Sequence, residues 1–195
     1  HVDGTLLDDR PEALALRERH LALSQEIGDR RGEANSTGNL GNAYTALGRY
    51  DEAEAAVRKA IALQPQAATN YQNLAVIQIL RGNPGAAVEL AKQETDPFFR
   101  TYALALAQFA NGERVEADAA LKKLIAEDSD DAGSQIAQVY ALRKEPEKMF
   151  EWLEHAWTTH DGGVTELLAE PFLLTYKNDP RFIAFAHKIG VMPKD

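Results

Sequence analysis

Glycines at 48, 82 and 112 recur at intervals of 34 and 30 residues, and each is followed five residues on by an alanine, Ala53, Ala87 and Ala117. Outward from these, Ala13 lies 40 residues before Ala53, and Met149 stands 32 residues after Ala117. A period of this length constrains the fold severely. Each unit is too short to close a core of its own, so it must bury its apolar face against its neighbours in a stacked array. The units themselves read as helical. Ala, Leu, Glu and Gln are abundant, whereas β-branched residues are sparse and never alternate as a strand requires.

The clearest unit is "NLGNAYTALGRYDEAEAAVRKAIALQP", residues 39–65. Small residues at Gly41, Ala53 and Ala60 allow two antiparallel helices to approach closely. Tyr44 and Val57 fill the space between neighbouring pairs, and Pro65 stops the second helix. Leu40, Gly41, Tyr44, Gly48, Tyr50, Ala53, Ala60 and Pro65 together resemble a tetratricopeptide repeat. The resemblance implies an all-α fold: a right-handed superhelical array of antiparallel helix pairs, closed by a C-terminal helical cap. Repeats are expected at about 34–67, 68–97, 98–129 and 130–160, the second with a shortened second helix and the fourth degenerate. Residues 10–30 read as a half repeat whose partner helix should precede it, and residues 1–9 as a flexible lead-in.

After His160 the period stops. Residues 161–195 read as a capping segment made of a glycine turn, a short helix, an irregular Pro-containing stretch and a final helix. Asp179, Pro180 and Gly190 suit the N-cap, first position and C-terminal stop of that helix. Phe172, Leu173, Phe182, Phe185 and Ile189 supply the apolar cover that the end of a solenoid needs. Asp179, Pro180, Arg181 and Phe182 also resemble the close of repeat regions in bacterial signalling proteins, where the array follows a cyclase, kinase or winged-helix domain.

The resemblance places any function in a concave groove lined by the first helix of each pair. The residues expected to face or border it are Asn35, Gly38, Asn39, Asn42, Thr45 and Ala46 in the first full repeat. Thr69, Gln72, Asn73, Val76, Ile79 and Leu80 follow in the second, then Phe99, Tyr102, Ala103, Leu106, Phe109 and Ala110. Asp131, Ser134, Gln135, Gln138, Ala141 and Leu142 complete the set. Asparagine is a mediocre helix former, so Asn35, Asn39, Asn42, Asn70 and Asn73 need a reason. An amide can both donate to and accept from the backbone of an extended peptide; the alternatives are capping, plain solvation or bonds to adjacent helices. The expected binding set is Asn39, Asn42, Gln72, Asn73, Val76, Tyr102, Leu106 and Gln138. A carboxylate clamp of the kind found in chaperone-binding repeats is excluded. Asn42 and Asn73 fit it, but Gly38, Phe99 and Ala103 stand where cations are required, and Arg100 is one step out of register. The apolar third repeat reads either as a pocket for a hydrophobic anchor or, with Phe99, Tyr102 and Phe109, as core.

Composition narrows the function further. The formal net charge is −9 with scattered basic residues, which argues against a nucleic-acid surface. The absence of cysteine excludes disulfides, thiolate metal sites and Cys nucleophiles, and leaves the compartment open, with the cytoplasm favoured. No stretch reaches the ~20 apolar residues of a membrane span. His155 and His160 are five apart and do not share a helical face as paired ligands would, so no metal or cofactor is expected. The opening "HVDGTLLDDR" resembles the nucleophile loop of haloacid-dehalogenase-like phosphatases. His1 stands where the attacking carboxylate belongs, and no strand precedes the loop. The expected function is a non-catalytic module binding a protein or extended peptide. Packing of the array into homo-oligomers or on an effector domain is the alternative, and a phosphatase a remote one.

Overall fold

Helices in this chain end where the recurring glycines stand. Gly48, Gly82 and Gly112 have φ of +72°, +78° and +85°, the left-handed backbone that ends a helix and that glycine adopts without steric cost. The same closing hydrogen bond recurs behind each: the N–H of Arg49 donates to the carbonyl of Tyr44, Asn83 to Gln78, and Glu113 to Gln108, at 2.8–2.9 Å. In the last pair Lys144 takes this conformation, at φ 60°, and Glu145 donates to Tyr140. A side chain tolerates it at a cost of roughly 1 kcal/mol, which explains why the fourth unit folds alike without its glycine.

The structure, a computed structural model, describes residues 11–192, and these contain helices and no strand. Helix α1 (Pro11–Glu26) packs on α2 (Arg30–Ala46), which pairs with α3 (Tyr50–Leu63). The pairs α4 (Asn70–Leu80) and α5 (Pro84–Ala91), α6 (Pro97–Ala110) and α7 (Arg114–Asp128), and α8 (Gly133–Leu142) and α9 (Pro146–Thr159) follow, each packed on the next. The architecture is an all-α solenoid. The lead-in at residues 1–9, with its dehalogenase-like string, lies outside the described residues.

Close approach within a pair depends on small residues. Ala53, Ala87 and Ala117 are each 0% exposed; in the last pair the larger Met149 takes that place and is equally buried. A Cβ on Gly41 would lie 2.5 Å from Val57 Cγ2, and one on Gly133 would lie 2.7 Å from Ala156 Cβ and 2.9 Å from its Cα. Helix α5 has only eight residues, and the chain repairs the shortfall with a carboxylate. Glu94, 1% exposed, follows it and accepts hydrogen bonds from the backbone N–H groups of Gln72 (3.1 Å), Thr95 (2.9 Å) and Asp96 (3.2 Å). It thereby satisfies one N–H in the first turn of α4, whose N-cap Thr69 makes no side-chain cap.

Beyond α9 the chain turns back over the end of the array. A 3-10 turn, Gly162–Glu166, starts within the glycine pair itself. A single helical turn, α10 (Pro171–Leu174), occupies the stretch expected to be irregular, because Pro171 suits a first helical position. Asp161 fastens this return: one carboxylate oxygen accepts from Gly163 N–H and the other from Ser134 N–H at the start of α8, both at 2.8 Å. Helix α11 (Pro180–Lys188) is capped by Asp179, which accepts from Arg181 N–H, and Gly190 at φ 79° ends it. Phe172, Leu173, Phe182 and Phe185 are buried in one cluster with Ile136, Met149 and Leu153, so the tail closes the solenoid's last apolar face. Arg181 then bridges to Glu147 of α9 at 2.8 Å, and Lys188 pairs with Glu154.

Candidate functional site

The first helices of the four pairs, α2, α4, α6 and α8, wall a cavity of about 430 Å³. Arg17 of α1 borders it, and Glu166, Ala169, Glu170 and Pro171 of the returning tail form the remaining wall. A second cavity, about 250 Å³, adjoins it and shares Asn39, Asn42, Thr69 and Asn73; it also reaches Asn35, Gly38 and Asn70. The two form one groove, asparagine-rich at one end and bounded by acidic tail residues at the other. Residues on successive first helices come together here because each pair repeats the same orientation, so equivalent positions stack along one surface.

Of the eight residues expected to bind, Asn39, Asn42, Gln72, Asn73, Val76, Tyr102 and Gln138 line the larger cavity. Asn39 and Asn42 are exposed, and Gln72 and Asn73 half-buried. The side-chain amides of these four make no hydrogen bond with any described residue, so capping does not account for them and they remain available to a ligand. Tyr102 and Gln138 are nearly enclosed, and the Tyr102 hydroxyl donates to Gln138 Oε1 at 2.5 Å. Burial, and then the nearby Glu170 carboxyl, push the Tyr102 hydroxyl well above its ordinary pKa.

Leu106 does not reach the groove. It is 0% exposed and belongs to the core cluster that also holds Leu167 and Phe172 of the tail. Ala103 is buried separately, among Ala75, Ala87, Val88 and Ala91 of α4 and α5, whereas Ala141 shares the cluster of the tail, and the Tyr176 hydroxyl donates to the Ala141 carbonyl at 3.4 Å. Phe109 is absent from the cavity wall for another reason. Its ring is stacked by Arg114 at 3.7 Å and Arg143 at 4.9 Å. Phe99, by contrast, is half-buried and lines the cavity beside Tyr102.

A second perturbed group on the groove wall is Glu170, which the expected binding set did not include. Burial first, and the neighbouring Glu166 charge second, raise its pKa from the ordinary 4.5 to about 7. By area it is half-buried, because it opens on the groove, yet the surrounding walls exclude most of the water that would solvate its charge. A lone acid inside the apolar run "LLAEPFLL" was its signal in the sequence. Among the described residues no three His, Asp or Glu side chains gather as metal ligands, and no helix is long and apolar enough to cross a membrane.

The tetratricopeptide repeat family profile matches residues 5–66. A stretch of 47 residues is 49% identical to G-protein-signaling modulator 1 of Homo sapiens, covering 24% of this chain and 7% of the human protein. Both matches concern a part of the chain, and the pairs from α4 onward extend the same helical architecture.

Proposed function

We propose that this chain is a non-catalytic interaction module that holds an extended peptide segment of a partner protein in the groove. Tetratricopeptide repeats in general mediate protein–protein interaction, and the match over residues 5–66 supports that class of role. The observation that carries the groove reading is the row of unpartnered amides. Asn39, Asn42, Gln72 and Asn73 stand on two successive helices and converge on one cavity without any hydrogen bond to described residues. An extended peptide brings N–H and C=O groups that need partners once water is displaced, and carboxamides meet both kinds. Val76, Tyr102 and Phe99 add apolar surface beside them.

The test is selection of peptides from a randomised eleven-residue library on the full chain, followed by titration of a recovered peptide. Asn42→Ala combined with Asn73→Ala should weaken binding by about 1–3 kcal/mol, while helical content and melting temperature stay near wild type, because both residues lie at the groove surface. Unchanged affinity would move the binding surface to the convex face or to a contact between copies.

A further inference from the structure

We propose that the tail-bounded end of the groove is a subsite for a cationic side chain, lysine or arginine, of the bound peptide, with Glu170 as its ion-pair partner. This rests on the groove reading and names the partner's chemistry at that same site.

Two enclosed carboxylates in this protein behave in opposite ways. Glu94 is saturated by three backbone N–H groups and is structural. Glu170 lines the cavity and accepts no hydrogen bond and no ion pair from any described residue; it does not cap α10 either. A carboxylate set among protein walls without a partner is costly, and folds supply one unless a ligand does. Around it the wall is equally unfinished. Gln138 is 4% exposed and its Oε1 is taken by the Tyr102 hydroxyl, but its Nε2 donates to no described group. Glu166 adds a second negative charge from the 3-10 turn, and it is the charge that acts on Glu170. Arg17 borders the cavity, yet it is not among the charges that shift Glu170. The arrangement is therefore negative at one end, with donors left over for peptide carbonyls. The half-buried Phe99 on the same cavity offers aromatic surface suited to the methylene stem of a long cationic side chain. The net charge of −9 favours approach of such a segment. A bare divalent cation fits poorly, since two carboxylates do not make a cage and no third acidic or histidine ligand joins them among the described residues.

Binding a cation requires Glu170 to be ionised, so affinity depends on pH. The groups facing Glu170 are Tyr102 on α6, Glu166 on the 3-10 turn, and the uncharged Gln135 and Gln138 on α8, with Arg17 on the same cavity. Tyr102 is held too high to titrate near neutrality, so the expected dependence belongs to Glu170.

The probe is the randomised eleven-residue library presented to the full chain at pH 8. Lysine or arginine should be enriched at one fixed position among recovered peptides, and replacing that residue by glutamine should weaken binding by about tenfold or more. Glu170→Gln should abolish the enrichment while leaving affinity for the glutamine peptide unchanged. Wild-type affinity for the cationic peptide should fall as pH drops from 8 to 6, and the variant should show no such fall. Peptides recovered without a cationic preference, or a preference that survives Glu170→Gln, overturn the subsite and leave the groove reading standing. Failure to recover any peptide overturns both.

Discussion

Replacing Glu170 with glutamine should stabilise the protein at alkaline pH and not at acid pH. Glu170 is raised from 4.5 to about 7 in the fold. Such a carboxyl binds its proton more tightly when folded, so its contribution is fully present below about pH 4.5 and is lost as pH rises through about 7. Above that the folded protein carries an ionised, unpartnered carboxylate that the unfolded chain solvates freely. Each unit of pKa corresponds to about 1.4 kcal/mol, so the full shift corresponds to about 3 kcal/mol, an upper figure that solvent entering from the groove reduces to roughly 1.5–3 kcal/mol. Glutamine is nearly isosteric, and it carries no charge at any of these pH values. The difference in stability between variant and wild type should therefore grow from pH 5 to pH 8 and level off. For a chain of this size that corresponds to a gain of about 3–12 °C in melting temperature. Thermal melts of both proteins followed by circular dichroism, at half-unit pH steps, supply the measurement. Every other titrating group is common to the two proteins and cancels in the difference. Parallel curves across this range would show that Glu170 is ordinarily solvated, and the physical reasoning behind its perturbation would fail.

Three further outcomes follow from the packing. Gly133→Ala forces a Cβ to within 3 Å of the Ala156 backbone, so it should cost about 1–3 kcal/mol despite the gain in helix propensity, whereas Gly162→Ala, with open space around it, should melt near wild type; equal melting temperatures would remove the α8–α9 contact as a tight one. Lys144→Gly relieves the left-handed strain at φ 60° and should raise stability by roughly 0.5–1 kcal/mol in urea titrations, and a loss of stability would contradict the assigned turn. Deleting residues 171–195 uncovers Met149, Leu153 and Ile136 and should give an aggregating product by light scattering; a soluble, unchanged monomer would show that the tail is no cap.

Helix pairing was legible in the sequence because it follows from local chemistry. Gly48, Gly82 and Gly112 mark the turns, and Ala53, Ala87 and Ala117 mark the close contacts, since only small or left-handed-tolerant residues serve there. The stacking of Asn42 and Asn73 on one surface follows from the same period. What the period could not carry was the return of the tail. Leu106 occupies a groove position by its register but lies in the core cluster that also holds Leu167 and Phe172, which come from a segment with no repeat of its own. Glu170 reaches the groove by the same route. Glu94 was hidden differently: its partners at Gln72 and in its own loop are backbone N–H groups, which no side-chain pattern reveals.

The most direct measurement of the central claim is a crystal structure of the full chain with a library-selected peptide. The account places the peptide backbone in the cavity walled by α2, α4, α6 and α8, within hydrogen-bond distance of the Asn42 and Asn73 amides. A peptide seated instead on α3, α5 or α7, with the cavity empty, would contradict it.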